Sequence, residues 1–364
     1  MRIVYFGSGQ FAVPILQAVL GAGHEVAAVV TQPDRPAGRG RKIQPTPVRQ
    51  IARERGLRVM AVEKVNEPAV TQEILGLGAR IGVVAAFGQK IGKGLLEGFP
   101  AGLINAHASL LPRYRGAAPV NWAILNGEDE TGVTVFRLVE AMDAGPVLVM
   151  RRTAIRPAET AEELEARLSN LASDAVLTAL AMFEAGDNPP MTAQDESKAT
   201  RAPKLSRKDG YVDFTQSAKV AACRVCGLWP WPGAACDFVK ADGSRRERVI
   251  LCRAAAVLNE GLRTQAPAGK LPGVPGETTK ALADNLTVAL GRADGPPPGT
   301  ILADLTVQTG QGAMRICEIK PAGGRRMTFE EFARGRRVTA GDRFEMLSPE
   351  ALARADRPEQ GHGT

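Results

Sequence analysis

Three polar residues at alternate positions, Asn105, His107 and Ser109, interrupt an apolar stretch near the start of the second quarter of a 364-residue chain. In an extended strand, positions i, i+2 and i+4 project to one face, so an amide, an imidazole and a hydroxyl would share it. Further along, Met142-Asp143-Ala144-Gly145 supplies a carboxylate beside a glycine that lets the chain turn sharply. An amide and an imidazole N–H can stabilise the oxyanion of a tetrahedral adduct, and a carboxylate can orient the imidazole. Such a set suits acyl transfer to an amine, which brings its own nucleophile and needs no Ser or Cys. A satisfied core histidine is the competing reading of His107; the company of Asn105 and Asp143 weighs against it.

Side chains can converge in this way only at the ends of well-ordered strands. Short β-branched runs at 2–6, 25–31, 58–62, 81–87, 103–107 and 133–139 predict strands, with helices at 12–20, 67–77 and 117–125 between them. This βαβ rhythm is that of an α/β, Rossmann-like, mostly parallel sheet, and such sheets bind ligands at the C-terminal ends of their strands. Leu164, Leu168, Leu171, Val176 and Leu180 give 159–185 helical spacing, and Pro189 and Pro190 break it. The N-terminal domain is therefore expected at 1–190, followed by a polar linker at 191–208. From 209 to 344 the pattern turns to short strands set off by Gly and Pro, at 247–253, 287–290, 300–302 and 315–319. A smaller C-terminal β-barrel, OB-like, fits that pattern. Residues 258–280 and 291–299 read as loops, and 345–364 as a tail without periodicity.

The charge is unevenly spread. The whole chain is +7, yet residues 1–200 hold 21 basic and 21 acidic side chains, against 25 and 18 in residues 201–364. Within the neutral part, 31–58 alone carries eight basic residues against Asp34 and Glu54. Two separated basic zones fit a polyanion that touches both domains. Only 5% of residues are aromatic, which favours contacts to phosphates over base stacking. The apolar runs are too short to cross a bilayer, and the N-terminus does not read as a secretory signal. An odd total of five cysteines indicates reduced thiols and a cytoplasmic protein.

Other motifs are weaker. Gly7-Ser8-Gly9-Gln10-Phe11-Ala12 satisfies a dinucleotide fingerprint, but the second strand ends without the acidic residue that would hold a ribose, so a tight turn is the better reading. Cys223 and Cys226 have the spacing of zinc ligands, yet they fall on an amphipathic stretch, 217–228, where small apolar fillers are expected and no metal. Trp229 and Trp231, bracketed by prolines, read as a packed corner of the barrel, and 128–130 as a solvated acidic turn.

The segment from Asn105 through Ser109-Leu110-Leu111-Pro112-Arg113-Tyr114-Arg115-Gly116 to Pro119, with Glu130-Thr-Gly-Val-Thr134 and Asp143-Ala-Gly145, resembles the folate-dependent formyltransferases. Within them, the basic stretch 31–48 is similar to the inserted loop of the branch that formylates methionyl-tRNA. Ala202-Pro-Lys204-Leu, Trp229-Pro-Trp231-Pro-Gly-Ala234, Gly299-Thr-Ile301 and Lys320-Pro-Ala-Gly323 are similar to that branch's barrel. The resemblance covers roughly residues 1–344. It implies catalysis by Asn105, His107 and Asp143, folate contacts from Ser109, Leu110, Leu111 and Pro112, and tRNA contacts from Arg39, Arg41 and Lys42. It also implies 10-formyltetrahydrofolate as co-substrate rather than a tightly bound cofactor, and initiator methionyl-tRNA as partner; nothing in the sequence suggests a dimer interface, so a monomer is expected. The strand end 86–89 would help line the pterin pocket. Sugar-nucleotide N-formyltransferases share the Asn-His-Asp site and are the alternative; they would have no use for the basic loop. Around the aspartate, Met142-Asp-Ala-Gly-Pro146 departs from the family's usual Leu-Asp-Thr-Gly-Asp, so the support of Asp143 is expected to differ.

Overall fold

A computed structural model describes residues 1–37, 42–186, 188–257 and 295–354. They form two compact units, one made of Met1–Ala123, Glu128–Arg156 and Ala161–Lys204, the other of Ile124–Gly127, Pro157–Thr160 and Leu205 onward. No helix among the described residues is long and apolar enough to cross a membrane.

The first unit begins with the βαβ unit that the periodicity predicts: β1 (Arg2–Gly7), α1 (Ala12–Gly21) and β2 (Glu25–Thr31). A two-stranded ribbon follows, β3 (Arg35–Ala37) and β4 (Lys42–Gln44), and then α2 (Pro47–Glu54), whose Thr46 caps the helix by accepting from the Arg49 N–H. The chain continues through β5 (Val59–Ala61), α3 (Pro68–Leu75), β6 (Ile81–Ala85), α4 (Lys93–Gly98) and β7 (Leu103–His107). After the short β8 (Arg115–Gly116) and α5 (Pro119–Leu125) come β9 (Glu130–Arg137), β10 (Val147–Ala154) and α6 (Ala161–Ala185).

The strands order as β10-β9-β7-β6-β1-β2-β5. Pairing is parallel from β7 to β5, whereas β9 and β10 run antiparallel at the other edge. β10, which no expectation included, carries its apolar residues on a half-covered edge next to Arg151 and Arg152, and so lacks the apolar run that marks a buried strand. Chain order reverses at β1, which pairs with both β2 and β6, so the C-terminal ends of β1, β6 and β7 frame the crevice where open α/β sheets take ligands. α6 buries Leu164, Leu168, Ala172, Val176, Leu180 and Phe183, a stripe at helical spacing, and Glu162 and Glu163 in its first turn suit the positive end of its dipole.

The stretch expected as a linker is instead stitched into this unit. Thr192 bridges Val147, and β11 (Arg201–Ala202) pairs in parallel with β8. Arg115, Ala117 and Ala118 donate their N–H groups to the carbonyls of Thr200, Ala202 and Ala202 again. Polar composition follows from this role, because the segment binds mainly through hydrogen bonds, with Ala202 packed against Tyr114 and Ala123.

The second unit contains α7 (Ala218–Leu228), β12 (Ala234–Val239), β13 (Arg246–Val257), β14 (Val307–Gln308), β15 (Ala313–Pro321), β16 (Met327–Thr328) and β17 (Arg343–Met346). The antiparallel order β14-β15-β13-β12-β17 leaves β14 and β17 at the edges. Ile301 bridges Val307 while Thr300 bridges Arg343, so one short extended piece joins both edges and nearly closes the barrel. Phe214, Phe238, Phe329, Phe332 and Phe344 fill its interior with ring centroids 5.2–6.3 Å apart. Trp229 is buried as expected of a packed corner, but Trp231 is half exposed. The expected tail begins with ordered structure, since β17 reaches Met346 and a helix spans Pro349–Arg354. The expected strand 287–290 and the 258–280 loop lie outside the described residues.

Candidate active site

β7 delivers the first two site residues. Its period of two turns Asn105 and His107 to one face, and its register against β6 sets Asn105 opposite Val84. The strand ends at His107, so Ser109 does not continue that face: it is fully buried, and its hydroxyl donates to the Arg113 carbonyl at 2.7 Å. The Asn105 side chain has no hydrogen-bond partner among the described residues, and it opens onto a cavity of about 660 Å³. That cavity lies wholly within the first unit. Its walls are Phe11, the turn 86–91 after β6, the end of β7, residues 116–121, the loop 138–143 and Glu165 of α6.

His107 is buried, and its Nε2 lies 2.9 Å from the carbonyl oxygen of Tyr114. A carbonyl only accepts, so Nε2 carries the proton and Nδ1 of the neutral ring presents a lone pair. Tyr114 aims that carbonyl by adopting a left-handed backbone, φ 61°, which costs a non-glycine residue about 1–2 kcal/mol. It is held there by the Glu128 carboxylate, which accepts from its hydroxyl at 2.6 Å, and by the Thr200 hydroxyl, which accepts from its N–H at 2.8 Å. Residues 128–130 are therefore more than a solvated turn: Glu128 also pairs with Arg113.

Asp143 arrives from the loop after β9. Its Oδ2 accepts the Gly116 N–H at 2.8 Å and lies 3.9 Å from His107 Nδ1. At that distance the carboxylate does not hydrogen-bond the ring, so the Tyr114 carbonyl, and not Asp143, fixes the imidazole. In that tautomer the Asn105 amide offers a donor to the cavity, while His107 Nδ1 and Asp143 Oδ2 offer acceptors. Asp143 also has φ 53°, a conformation that Asp tolerates better than most residues. Gly145 is required two residues on, since a Cβ there would fall 1.8 Å from the Arg137 carbonyl oxygen. The departure from Leu-Asp-Thr-Gly-Asp has a counterpart in Gln194, which bonds this turn from the segment expected as a linker.

The remaining expected contacts divide sharply. Ser109, Leu110, Leu111 and Pro112 do not line the cavity. Leu111 is buried, its N–H donates to the Thr134 hydroxyl, and Thr134 donates to the Ser109 carbonyl, so the loop buttresses β9 beneath the site. The strand end at Ala86, Phe87, Gly88 and Gln89 does line it. Arg39 and Arg41 lie outside the described residues, and of Lys42 only the backbone, in β4, is described. Glu165 was not anticipated: partial desolvation in the cavity wall, with Glu162 nearby, pushes its carboxyl above the ordinary range. It sits on a helix face whose neighbours are charged, so the sequence pattern gave no cue to separate it from a solvated glutamate.

The dinucleotide alternative fails on hydrogen bonds. The N–H groups of Ser8 and Gly9, which would have to hold a pyrophosphate, both donate to the Ala86 carbonyl, and the Ser8 hydroxyl bonds Phe87 and Thr31. Cys226 is buried in α7 with its thiol 3.2 Å from the Ala254 carbonyl, and burial pushes that thiol up to about 12. Among the described residues no three His, Cys, Asp or Glu side chains gather as metal ligands.

Comparison with known proteins extends the reading from the site to the whole chain. Residues 1–180 match the formyl transferase family and residues 204–337 match the formyl transferase C-terminal domain. The chain is 39% identical to the methionyl-tRNA formyltransferase of Solibacter usitatus, covering 94% of this chain and 98% of that protein. It is 40% identical to that of Heliobacterium modesticaldum, covering 94% and 100%. Among solved structures, HypX from Aquifex aeolicus, crystallised with tetrahydrofolic acid, superposes on 92% of this chain with a TM-score of 0.55 and 20% identity. That likeness is one of fold, and the chain spans about half (47%) of the HypX length. A formyl transferase domain, the matching C-terminal domain and 39–40% identity over nearly the full length of both chains together place the chain in the methionyl-tRNA formyltransferase family.

Proposed function

We propose that this chain transfers the formyl group of 10-formyltetrahydrofolate to the α-amine of methionine on initiator methionyl-tRNA, acting as a cytoplasmic monomer. The carrying observation is the 39–40% identity, over nearly the full length of both chains, with relatives named for methionyl-tRNA formylation. The convergence of Asn105, His107 and Asp143 on one cavity supports the first unit as the seat of the chemistry. Its volume is in the range usual for small-molecule sites, about 300–1,000 Å³.

The acceptor pair suits an amine. His107 Nδ1 and Asp143 Oδ2, 3.9 Å apart, can each accept one N–H of the uncharged amine and so turn its lone pair toward the formyl carbon. As the new C–N bond forms, the Asn105 amide donates to the developing oxyanion, a contribution typically worth about 3 kcal/mol. His107 Nδ1 takes the proton that the amine sheds, and the resulting imidazolium faces the Asp143 carboxylate. When the bond to N10 of the folate breaks, N10 leaves with its electron pair and receives that proton from His107, while the carbonyl re-forms. The Tyr114 carbonyl keeps the ring in place throughout, since Nε2 donates to it in both protonation states.

In this reading Arg39, Arg41 and Lys42 reach phosphates near the acceptor end, and the barrel, with the excess of positive charge, holds the tRNA body. The test offers the purified chain 10-formyltetrahydrofolate with either methionyl-tRNA or an amino-sugar nucleotide. Formylation of the sugar alone would overturn the reading. Replacing Arg39 and Lys42 by Ala should raise KM for tRNA and flatten its salt dependence, with folate binding unchanged; unaltered tRNA kinetics would remove the loop from the interface.

A further inference from the structure

Asp143 is held from behind by a side chain that the mechanism does not use. The Gln194 amide nitrogen donates to the carbonyls of Asp143 (2.8 Å) and Gly145 (2.7 Å), closing the left-handed turn at both its ends. Its oxygen accepts from Nε (3.1 Å) and Nη2 (2.7 Å) of Arg115. The same guanidinium is gripped on its other edge by Glu196, at 2.8 and 2.6 Å. Gly116, the residue after Arg115, donates its N–H to the Asp143 carboxylate itself. Both donors and the acceptor of Gln194 are thus committed, and they lock the turn to the strand pair that supplies the carboxylate's own partner.

This arrangement needs a primary amide. Among the described residues no other hydrogen bond links the backbone of Asp143 to Arg115, and only a group that donates twice and accepts twice can face two carbonyls and a guanidinium together. We propose that Gln194 is a positioning residue for formyl transfer: by pinning the turn that carries Asp143, it sets the carboxylate opposite His107 Nδ1. The inference rests on the assignment of Asp143 to the reaction.

Two replacements separate positioning from simple stapling. Gln194→Leu keeps the volume and removes every bond; Gln194→Glu keeps the bonds to Arg115 but turns an acceptor toward two carbonyls. In the full-length enzyme, each should lower kcat on the order of 10- to 100-fold, the cost of misplacing a reacting group by about an ångström. KM for 10-formyltetrahydrofolate should stay within about twofold, since Gln194 does not line the cavity. In an Asp143→Asn background, Gln194→Leu should cost nothing further, because the group it positions is already lost. Additive losses in that double mutant, a defect confined to KM, or wild-type kcat in a folded Gln194→Leu enzyme would each overturn the proposal. If Gln194→Leu does not fold, Gln194→Glu in the same two backgrounds gives the same decision. Full turnover by Asp143→Asn alone would instead remove the catalytic assignment, and this proposal with it.

Discussion

Asn105 offers an unusual opportunity to separate catalysis from stability. Its amide bonds no protein group among the described residues and faces the cavity, so Asn105→Ala deletes no folded-state hydrogen bond and leaves no buried partner unmet. Shortening a partly buried side chain that already opens onto a cavity creates no new enclosed void, which is the main source of large losses on truncation. Stability should therefore change by less than about 0.5 kcal/mol, the range for substitutions away from such features. The reaction, in contrast, loses the donor that meets the oxyanion. Removal of one such donor costs about 2.7–4 kcal/mol, or roughly 100- to 1,000-fold in turnover. Asn105→Asp should cost more, because it sets a negative charge against the developing one. Single-turnover formylation of methionyl-tRNA at saturating 10-formyltetrahydrofolate reads the chemical step, and urea denaturation reads stability. A folded Asn105→Ala enzyme within tenfold of wild type would refute the donor assignment, and a stability loss above 2 kcal/mol, about what a buried hydrogen bond costs when broken, would show that the amide has a structural partner.

Further expectations follow from contacts of the opposite kind. His107→Ala should lose orders of magnitude in turnover, and it should also lose about 1–3 kcal/mol of stability by stranding the Tyr114 carbonyl; near-normal turnover would sink the assignment. Gly116→Ala places a Cβ 2.5 Å from the Ala202 carbonyl oxygen at φ 129°, so β8 and β11 must separate and the N–H to Asp143 must move; both turnover and thermal midpoint should fall, and a rise in either would contradict the pairing. In the barrel, burial pushes the Asp342 carboxyl up, but Lys240 at 2.8 Å and the N–H groups of Thr339 and Ala241 outweigh it and hold the carboxyl below the usual range. Stability from a depressed carboxyl is present above the unfolded value, about 3.9, and is lost as pH falls through the folded one. Asp342→Ala should thus destabilise the barrel by about 3–5 kcal/mol at neutral pH and lose less on acidification than wild type, which denaturant titrations at pH 7 and pH 3 would check.

The site was legible in the sequence where it obeys a period. Asn105 and His107 occupy alternate positions of a strand, and Asp143 precedes a glycine that the turn cannot do without. The βαβ half was legible for a related reason, since β1, β2 and β6 are short, mostly apolar, β-branched runs set between helical stretches. Ser109 was misread because the strand stops two residues earlier, and the end of a strand leaves no mark in a run of small residues. Gln194 and Tyr114 could not be seen at all. Gln194 acts on carbonyls 49 and 51 residues away, and Tyr114 through its own carbonyl, which every residue type possesses. Barrel closure likewise rests on two isolated bridges from Thr300 and Ile301, too short a stretch to predict its own partners.

The stitching of residues 191–204 changes where the protein can be divided. Pro189 and Pro190 look like the natural place to end a catalytic fragment, but a chain cut there would strand the N–H groups of Arg115, Ala117 and Ala118 and release Tyr114 from Thr200. The bond between the imidazole and the Tyr114 carbonyl would then lack its frame. Any fragment intended to keep formyl transfer must extend through Lys204, the last residue of the first unit, and any graft of a different acceptor-binding module must join beyond it.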